Sequence, residues 1–132
     1  MDAWMIVIAG LAGGTLLSRY YGKLKLRRAG VVEVNVPEAE RLVSDDGALV
    51  VDVRELGEYR EGRIPQARHV PLSEMRQRMR DLERDRPIVV SCRSGRRSAY
   101  AGIYLARNGF SHVYNLKGGM NAWTRANRQI ER

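Results

Sequence analysis

The sequence predicts an α/β domain with a mainly parallel central sheet flanked by helices, preceded by one N-terminal transmembrane helix. From residue 30 onward, short runs of β-branched residues alternate with helix-like stretches, an order typical of parallel strands joined by helices. The run "PIVVSC" is almost entirely apolar, as expected for a strand that is covered on both faces. The first 28 residues differ, because an uncharged apolar run is followed there by basic residues. The 132 residues suffice for one such domain.

The N-terminal segment is interpreted as a membrane anchor. The stretch "AWMIVIAGLAGGTLL" carries no charge, and Arg19, Tyr20 and Tyr21 suit the headgroup region, so the predicted span covers residues 3–21. A crossing needs about 20 mostly apolar residues. Five basic residues follow the apolar run, whereas Asp2 alone precedes it. The positive-inside rule then predicts a single-pass protein of the inner (plasma) membrane with its C-terminal domain in the cytoplasm.

Two other interpretations of this segment remain open. The first is a cleaved signal peptide, which would have its positive charges before the apolar run and a small-residue cleavage pattern after it. The second is a buried helix of a soluble protein. Gly10 and Gly14 have the spacing that lets two membrane helices approach closely. A helix-mediated homodimer and a membrane-protein partner are therefore further hypotheses. The predicted division is an anchor with its basic flank over residues 1–28 and a domain over residues 29–132.

The first half of the domain contains two predicted strands. "VVEVNV" is the first, and a helix beginning at Pro37 follows it and ends in the turn "SDDG". "ALVVDVR" is a buried strand that ends in charged residues, and "ELGEYREG" is a short helical turn closed by Gly62. The two prolines of "RIPQARHVPL" keep that stretch extended.

The second half is expected to continue the alternation. Ser73 is the predicted N-cap of a helix over "EMRQRMRDLE", whose methionines and leucine share one core-facing side. The strand "PIVVSC" is followed by a loop and by a helix that Gly109 ends. A strand "HVYNL" and a closing helix "GGMNAWTRANRQI" complete the domain. Trp123 and the two glycines of that helix are predicted to pack it against the sheet.

The charge distribution argues against a nucleic-acid partner. The net charge is +8 and the pI is about 10.2, but half of the excess lies in residues 1–28. In residues 74–86 basic and acidic side chains alternate, as on a solvated helix face rather than in a continuous basic stripe.

One cysteine and two histidines limit the chemistry of the chain. A single cysteine forms no intrachain disulfide, and these few ligands do not suit a structural zinc site. We expect no metal and no cofactor. A lone thiol also fits a reducing compartment.

The single cysteine, Cys92, follows the strand "IVVS" and opens the loop "CRSGRR". Ligands of parallel sheets bind beyond the carboxyl ends of strands, where helix N-termini point at them. Gly95 allows the loop to turn tightly enough to direct several N–H groups inward. These groups, the helix dipole and the three loop arginines all favour a thiolate. The pattern therefore predicts a cysteine nucleophile facing an anion.

Two less specific interpretations compete for these residues. A buried inert cysteine is common, but apolar neighbours would be expected around it, whereas this loop is rich in arginine. His69 and His112 are the only candidates for a Cys–His pair. Both are interpreted as structural or solvent-facing, because a thiolate whose pKa is already lowered needs no base.

The stretches "VDVRELGEYREGRIPQARHVPL" and "VVSCRSGRRSAYAGIYLARNGFSHVYNLKGGMNAW" resemble a single-domain rhodanese. The resemblance covers about residues 36–130, and the anchor ahead of it resembles membrane-tethered bacterial members. It implies a sulfurtransferase in which Cys92 takes sulfur from a small donor anion such as thiosulfate and passes the persulfide sulfur to a thiol or cyanide. The implied substrate-binding loop consists of Arg93, Ser94, Gly95, Arg96, Arg97 and Ser98. Asp52 and Arg54 match a pair that is mainly structural in the family.

Loop length and two departures refine this resemblance. Related phosphatases have Cys-x5-Arg, whereas the last loop arginine here, Arg97, is at Cys-x4-Arg, and a smaller ring favours sulfur over phosphate chemistry. The family usually has "GHIPGA" where this chain has Arg63 and Gln66 in "GRIPQA", so the family's rim contacts and substrate preference are not carried over to these two positions. The alternative function is a membrane-tethered rhodanese-like docking module with little catalysis.

Overall fold

The computed structural model describes residues 3–132, with side chains from residue 14 onward. Its centre is a five-stranded sheet in the order β1-β5-β4-β2-β3, and all four pairings of neighbouring strands are parallel. The strands are β1 (Val31–Val34), β2 (Leu49–Asp52), β3 (Arg68–His69), β4 (Ile88–Ser91) and β5 (Val113–Leu116). The predicted α/β domain with a mainly parallel sheet is therefore confirmed.

Helices connect the strands and cover both faces of the sheet. The α-helices are α1 (Ala3–Arg28), α2 (Val36–Asp46), α3 (Leu56–Glu61), α4 (Met75–Arg78), α5 (Arg96–Arg107) and α6 (Gly119–Arg125). Asn35 caps α2, because its side chain accepts a hydrogen bond from the Glu38 amide at 2.9 Å. Gly47 ends α2 in the left-handed conformation. These signals set the loop lengths that bring the strand ends together.

The N-terminal helix α1 ends against the sheet. In the part of the chain that the structure describes, no helix is long and apolar enough to cross a membrane. The predicted span over residues 3–21 and the Gly10–Gly14 pair fall largely on residues 3–13, whose side chains lie outside the described part. Leu26 is only 7% exposed and packs in the core beside Val31. The last turn of α1 therefore contributes to the domain that was predicted to begin at residue 29.

Two apolar clusters form the core, one on each face of the sheet. The first contains Cys92 and packs α5 and Leu26 against alternate residues of the strands, including Val51 and Val90. The second packs α2 and α6 against the intervening residues, including Val50 and Val89. Burial on both faces explains the continuous apolar runs of β2 and β4, in which all four residues are buried.

The segment from residue 72 to residue 82 differs from the prediction of one helix. It forms a 3₁₀ turn (Leu72–Glu74), the single-turn helix α4 and a second 3₁₀ turn (Met79–Asp81). Ser73 lies inside the first turn and is not an N-cap, because α4 begins after Glu74 without a side-chain cap. Met75 and Leu82 are nevertheless buried in the core. The core-facing side was predicted correctly and the continuous helix was wrong.

Candidate active site

Cys92 lies where the prediction placed it, between the end of β4 and the start of α5. Strand β4 is flanked by β2 and β5, so the carboxyl ends of three parallel strands surround the loop. Gly95, the residue before α5, has φ of 97°, which a side chain would strain. The cysteine itself is only 1% exposed. The sequence therefore builds a narrow cradle for a single thiol.

The sulfur of Cys92 receives polar contacts from its own loop and from α5. The Gly95 amide donates to Sγ at 3.1 Å, and the Ser98 hydroxyl lies 3.3 Å from Sγ. The same hydroxyl lies 2.6 Å from Asn115 Oδ1. A hydroxyl has one proton, so the sulfur and the Asn115 carbonyl oxygen share Ser98 as a donor.

These contacts favour the thiolate over the thiol. Burial raises the pKa of the Cys92 thiol, but the Ser98 hydroxyl and the backbone amides of Ser98, Gly95 and Ser94 together outweigh burial and lower the pKa below its ordinary value. The physical cause is that each donor stabilises negative charge on sulfur inside a site with little water. The cradle thus provides an activated nucleophile without a basic side chain.

Helix α6 holds the outer side of the Cys92 loop. The Met120 amide donates to the Cys92 carbonyl at 2.8 Å, and the Asn121 amide donates to the Arg93 carbonyl at 3.0 Å. In a trans peptide the N–H points opposite to the C=O, so turning the Arg93 carbonyl toward α6 directs the Ser94 amide toward the thiol. A Cβ on Gly119 would overlap the Cys92 carbonyl oxygen and lie 2.9 Å from the Arg93 carbonyl. Only glycine allows this close approach.

The three loop arginines, which the sequence grouped together, have different environments. Arg93 and Arg96 are exposed, and neither makes a side-chain hydrogen bond or ion pair within the described residues. Arg97 instead forms a two-pronged pair with Glu58 of α3, at 2.8 Å and 2.9 Å. The loop therefore presents two unpaired guanidinium groups and one that is neutralised.

The predicted supporting pair, Asp52 and Arg54, lies at the end of β2. Arg54 binds the Asp52 carboxylate through Nε and Nη2, the shortest contact being 2.7 Å, and Nη2 also donates to the Gly62 carbonyl at 2.8 Å. Both side chains are almost fully buried, with 7% and 2% exposure. The pair joins the strand end to the residue that follows α3, so it positions α3 and with it Glu58.

Neither histidine contacts Cys92. The Nε2 atom of His69 lies 2.7 Å from the Arg54 carbonyl, and its ring stacks on Tyr59 at 4.4 Å. His112 is exposed, and its carbonyl accepts from Ile88 at the first residue of β4, the end of that strand opposite to Cys92. The interpretation of both histidines as structural or solvent-facing agrees with these positions.

The two departures from the family pattern have local explanations. The Arg63 guanidinium lies 4.6 Å over the Tyr59 ring, and the Arg63 and Glu131 backbones exchange hydrogen bonds at 2.9 Å. Gln66 has φ of 64°, the conformation for which glycine is suited. Arg63 therefore binds the C-terminal segment at Glu131, whereas Gln66 has a strained backbone conformation.

Sequence reasoning missed three residues of the site. Asn115 is fully buried, and besides its contact with Ser98 it donates through Nδ2 to the Gly95 carbonyl at 3.1 Å. The sequence signal for Asn115 was a polar residue within a predicted strand that is otherwise mostly apolar. Glu58 had no signal, and Gly119 was assigned only a packing role. Among residues with described side chains, no three potential metal-ligating groups are gathered as a metal ion would require.

Comparison with known proteins shows the family to which this chain is similar. Residues 35–126 match the family described as "Rhodanese-like domain". A sulfurtransferase from Allochromatium vinosum is 40% identical over 87 residues, which are 66% of this chain and 81% of that protein. The thiosulfate sulfurtransferase GlpE of Pseudomonas fluorescens is 38% identical over 87 residues, which are 66% of this chain and 80% of that protein.

Solved structures show the same fold. The crystal structure of a rhodanese-related protein from Thermoplasma volcanium superposes with a TM-score of 0.69 at 30% identity, over 76% of this chain and 97% of that one. The family match spans more than half of the chain and includes β2, β4, β5 and the whole Cys92 loop. This chain therefore belongs to the rhodanese-like domain family.

Proposed function

We propose that this protein is a sulfurtransferase that carries sulfur as a persulfide on Cys92. The observation that carries the proposal is the cradle of Ser94, Gly95 and Ser98, which lowers the pKa of the Cys92 thiol without a catalytic histidine. The names of the sulfurtransferase relatives support it. The proposed donor is a small anion of the thiosulfate type, and the proposed acceptor is a thiol or cyanide.

The reaction divides into two displacements at sulfur. In the first, the Cys92 thiolate attacks the outer sulfur of thiosulfate, the S–S bond of the donor breaks, and sulfite leaves with the electron pair. Arg93 and Arg96 supply positive charge for the incoming dianion. In the second, the acceptor attacks the terminal sulfur of the persulfide and the Cys92 thiolate leaves. The amides that stabilise the thiolate also stabilise it as the leaving group.

The loop geometry favours this chemistry over phosphoryl transfer. An encircling arginine that binds a phosphate must have its donors available to the oxyanion. Here both terminal nitrogens of Arg97 are bound to Glu58. The inner ring is then lined by backbone amides and one hydroxyl, which suits a single sulfur atom.

The test is turnover of thiosulfate and cyanide, read as thiocyanate, by the full-length protein and by Cys92→Ala. We expect activity in the first and none in the second. An aryl phosphate serves as the control substrate, and its hydrolysis would instead support a phosphatase. If neither substrate reacts and Cys92→Ala behaves like wild type in cells, the docking module becomes the better account.

We further propose that residues 3–21 anchor the protein in the inner (plasma) membrane with the domain in the cytoplasm. The uncharged run and the basic residues behind it support this orientation. Fractionation should place the protein in the alkali-resistant membrane pellet, and a label on Cys92 should require a membrane-permeant thiol reagent in intact cells. Recovery in the soluble fraction would contradict the anchor.

A further inference from the structure

Glu58 is held in a fixed position on the α3 side of the site. It is the N3 residue of the capping box that begins at Glu55, and its carboxylate accepts from the Glu55 amide at 3.1 Å. The same carboxylate binds both terminal nitrogens of Arg97. A two-pronged pair fixes the orientation of a guanidinium as well as its distance. Arg97 therefore cannot move toward a ligand without breaking two charged hydrogen bonds.

Arg97 is close enough to Cys92 for their charges to interact. It precedes Ser98, whose hydroxyl lies 3.3 Å from the sulfur. The hydrogen bonds that Arg97 donates to Glu58 are the main cause that raises the pKa of Arg97, and negative charge on Cys92 raises it further. The Arg97 hydrogen bond in turn lowers the pKa of Glu58 from 4.5 to about 2. Both partners of the pair are thus ionised at neutral pH.

We propose that Glu58 is a positioning residue that fixes Arg97 beside the Cys92 cradle and cancels its charge, so that the loop offers two uncompensated cations instead of three. The inference deepens the proposed sulfurtransferase function, because it concerns the charge that meets an anionic donor. A stronger positive field would also hold sulfite, the anionic product, more firmly and slow its release. The neutralised pair joins α3 to α5, while Arg93 and Arg96 attract the anion.

Other charged groups near the Glu58–Arg97 pair stay constant in the test. They are Arg93 and Arg96 of the same loop, Glu55 and the Asp52–Arg54 pair. Asp52 and Arg54 neutralise each other at 2.7 Å. Glu55 lies at the N-cap of α3 and interacts with Arg97. Changing Glu58 and Arg97 alone therefore isolates their contribution.

The experiment uses the only cysteine of the chain as its own probe. The full-length protein, Glu58→Gln, Arg97→Gln and the double variant are alkylated with neutral iodoacetamide across pH, which gives the Cys92 pKa of each. A glutamine still offers a carbonyl oxygen to Arg97, so we expect Glu58→Gln to lower the pKa by about half a unit. Arg97→Gln should raise it by about the same amount. The double variant should return close to wild type.

A second reagent measures the charge at the mouth of the site. Iodoacetate is an anion of nearly the same shape as iodoacetamide, so the ratio of their rates at one pH reports local potential. We expect this ratio to rise about threefold in Glu58→Gln and to fall in Arg97→Gln. Neither readout requires sulfur transfer, so the result stands whether or not thiosulfate is the donor.

Three results would overturn the proposal. A higher pKa in Glu58→Gln would mean that Glu58 only holds Arg97 near the sulfur. An unchanged pKa in both single variants, with altered urea unfolding, would mean that the pair only joins α3 to α5. If Glu58→Gln does not fold, an unchanged pKa and rate ratio in Arg97→Gln would refute the inference by themselves.

Discussion

Ser98→Ala removes the one side-chain donor that reaches the Cys92 sulfur among the residues with described side chains. The hydroxyl lies 3.3 Å from Sγ and is completely buried. A hydrogen bond to a charged group contributes about 1.5–3 kcal/mol, which corresponds to about 1–2 pKa units. The Ser98 hydroxyl also donates to Asn115 Oδ1 at 2.6 Å, so the hydrogen bond to the sulfur contributes only part of this energy. We therefore expect the Cys92 pKa to rise by about one unit.

The assay is the pH dependence of Cys92 alkylation by iodoacetamide, with Ser94→Ala as the matched control. Ser94 is exposed, and its hydroxyl makes no hydrogen bond within the described part of the chain. It contributes to the thiolate only through its backbone amide, which alanine keeps. Ser94→Ala should therefore leave the pKa unchanged. A shift of equal size in both variants, or none in Ser98→Ala, would refute the assignment of Ser98.

The same shift predicts how folding stability depends on pH. The folded-state pKa of Cys92 lies below its ordinary value, so the folded state releases the proton first. Ionised Cys92 then stabilises the fold fully above the unfolded pKa of about 8.5, and this contribution is lost as pH falls through the folded pKa. Between those two values the free energy of unfolding should rise with pH. In Ser98→Ala the pH range over which the free energy of unfolding rises should narrow, because the folded-state pKa moves toward the unfolded one.

The remaining predictions concern three other positions. Gly119→Ala should lower the free energy of unfolding by at least about 3 kcal/mol and reduce sulfur transfer more than tenfold, because φ of 50° and the overlap with the Cys92 carbonyl force α6 away from the loop. Arg54→Met should cost about 3–5 kcal/mol in urea unfolding, since it leaves the Asp52 charge buried and unpaired. Gln66→Gly should leave the free energy of unfolding unchanged or raise it by up to about 1 kcal/mol, because glycine removes the strain of a side chain at positive φ. This gain exceeds the stability lost through the greater entropy of glycine in the unfolded chain.

Each of these variants has a control within the chain. Gly57 lies in α3, and a Cβ at that position would meet no atom within 4 Å, so Gly57→Ala should not destabilise the protein. Arg78 forms an exposed pair with Glu74 at 4.0 Å, and Arg78→Met should cost less than about 1 kcal/mol. Gln66→Val should destabilise, because a β-branched side chain resists positive φ. Equal effects in variant and control would contradict the reasoning.

Much of the fold followed from local patterns in the sequence. The apolar runs located β2 and β4 because both are buried on both faces, and Gly95 and Gly109 bounded the segment that contains α5. Cys92 was predicted at the carboxyl end of a strand because that position follows from the alternation of strands and helices. The short segment after Pro71 was mistaken for one helix, since burial of Met75 and Leu82 outweighed its helical preference.

The parts of the site that escaped prediction depend on contacts between distant segments. Glu58 and Arg97 are 39 residues apart in sequence, and no spacing rule relates them. Asn115 reaches Ser98 and Gly95 only because β5 lies beside β4 in the sheet. Gly119 was predicted only to help pack the last helix against the sheet, because its close approach to the Cys92 carbonyl depends on where α6 lies.

The intact mass of the full-length protein after brief incubation with thiosulfate tests the central claim most directly. A persulfide on Cys92 predicts a gain of one sulfur atom, absent in Cys92→Ala and removed by cyanide with release of thiocyanate. The amides of the cradle should keep that adduct stable until an acceptor arrives. An unchanged mass with thiosulfate and with a persulfide donor, at a pH where iodoacetamide alkylates Cys92 rapidly, would contradict the sulfurtransferase account.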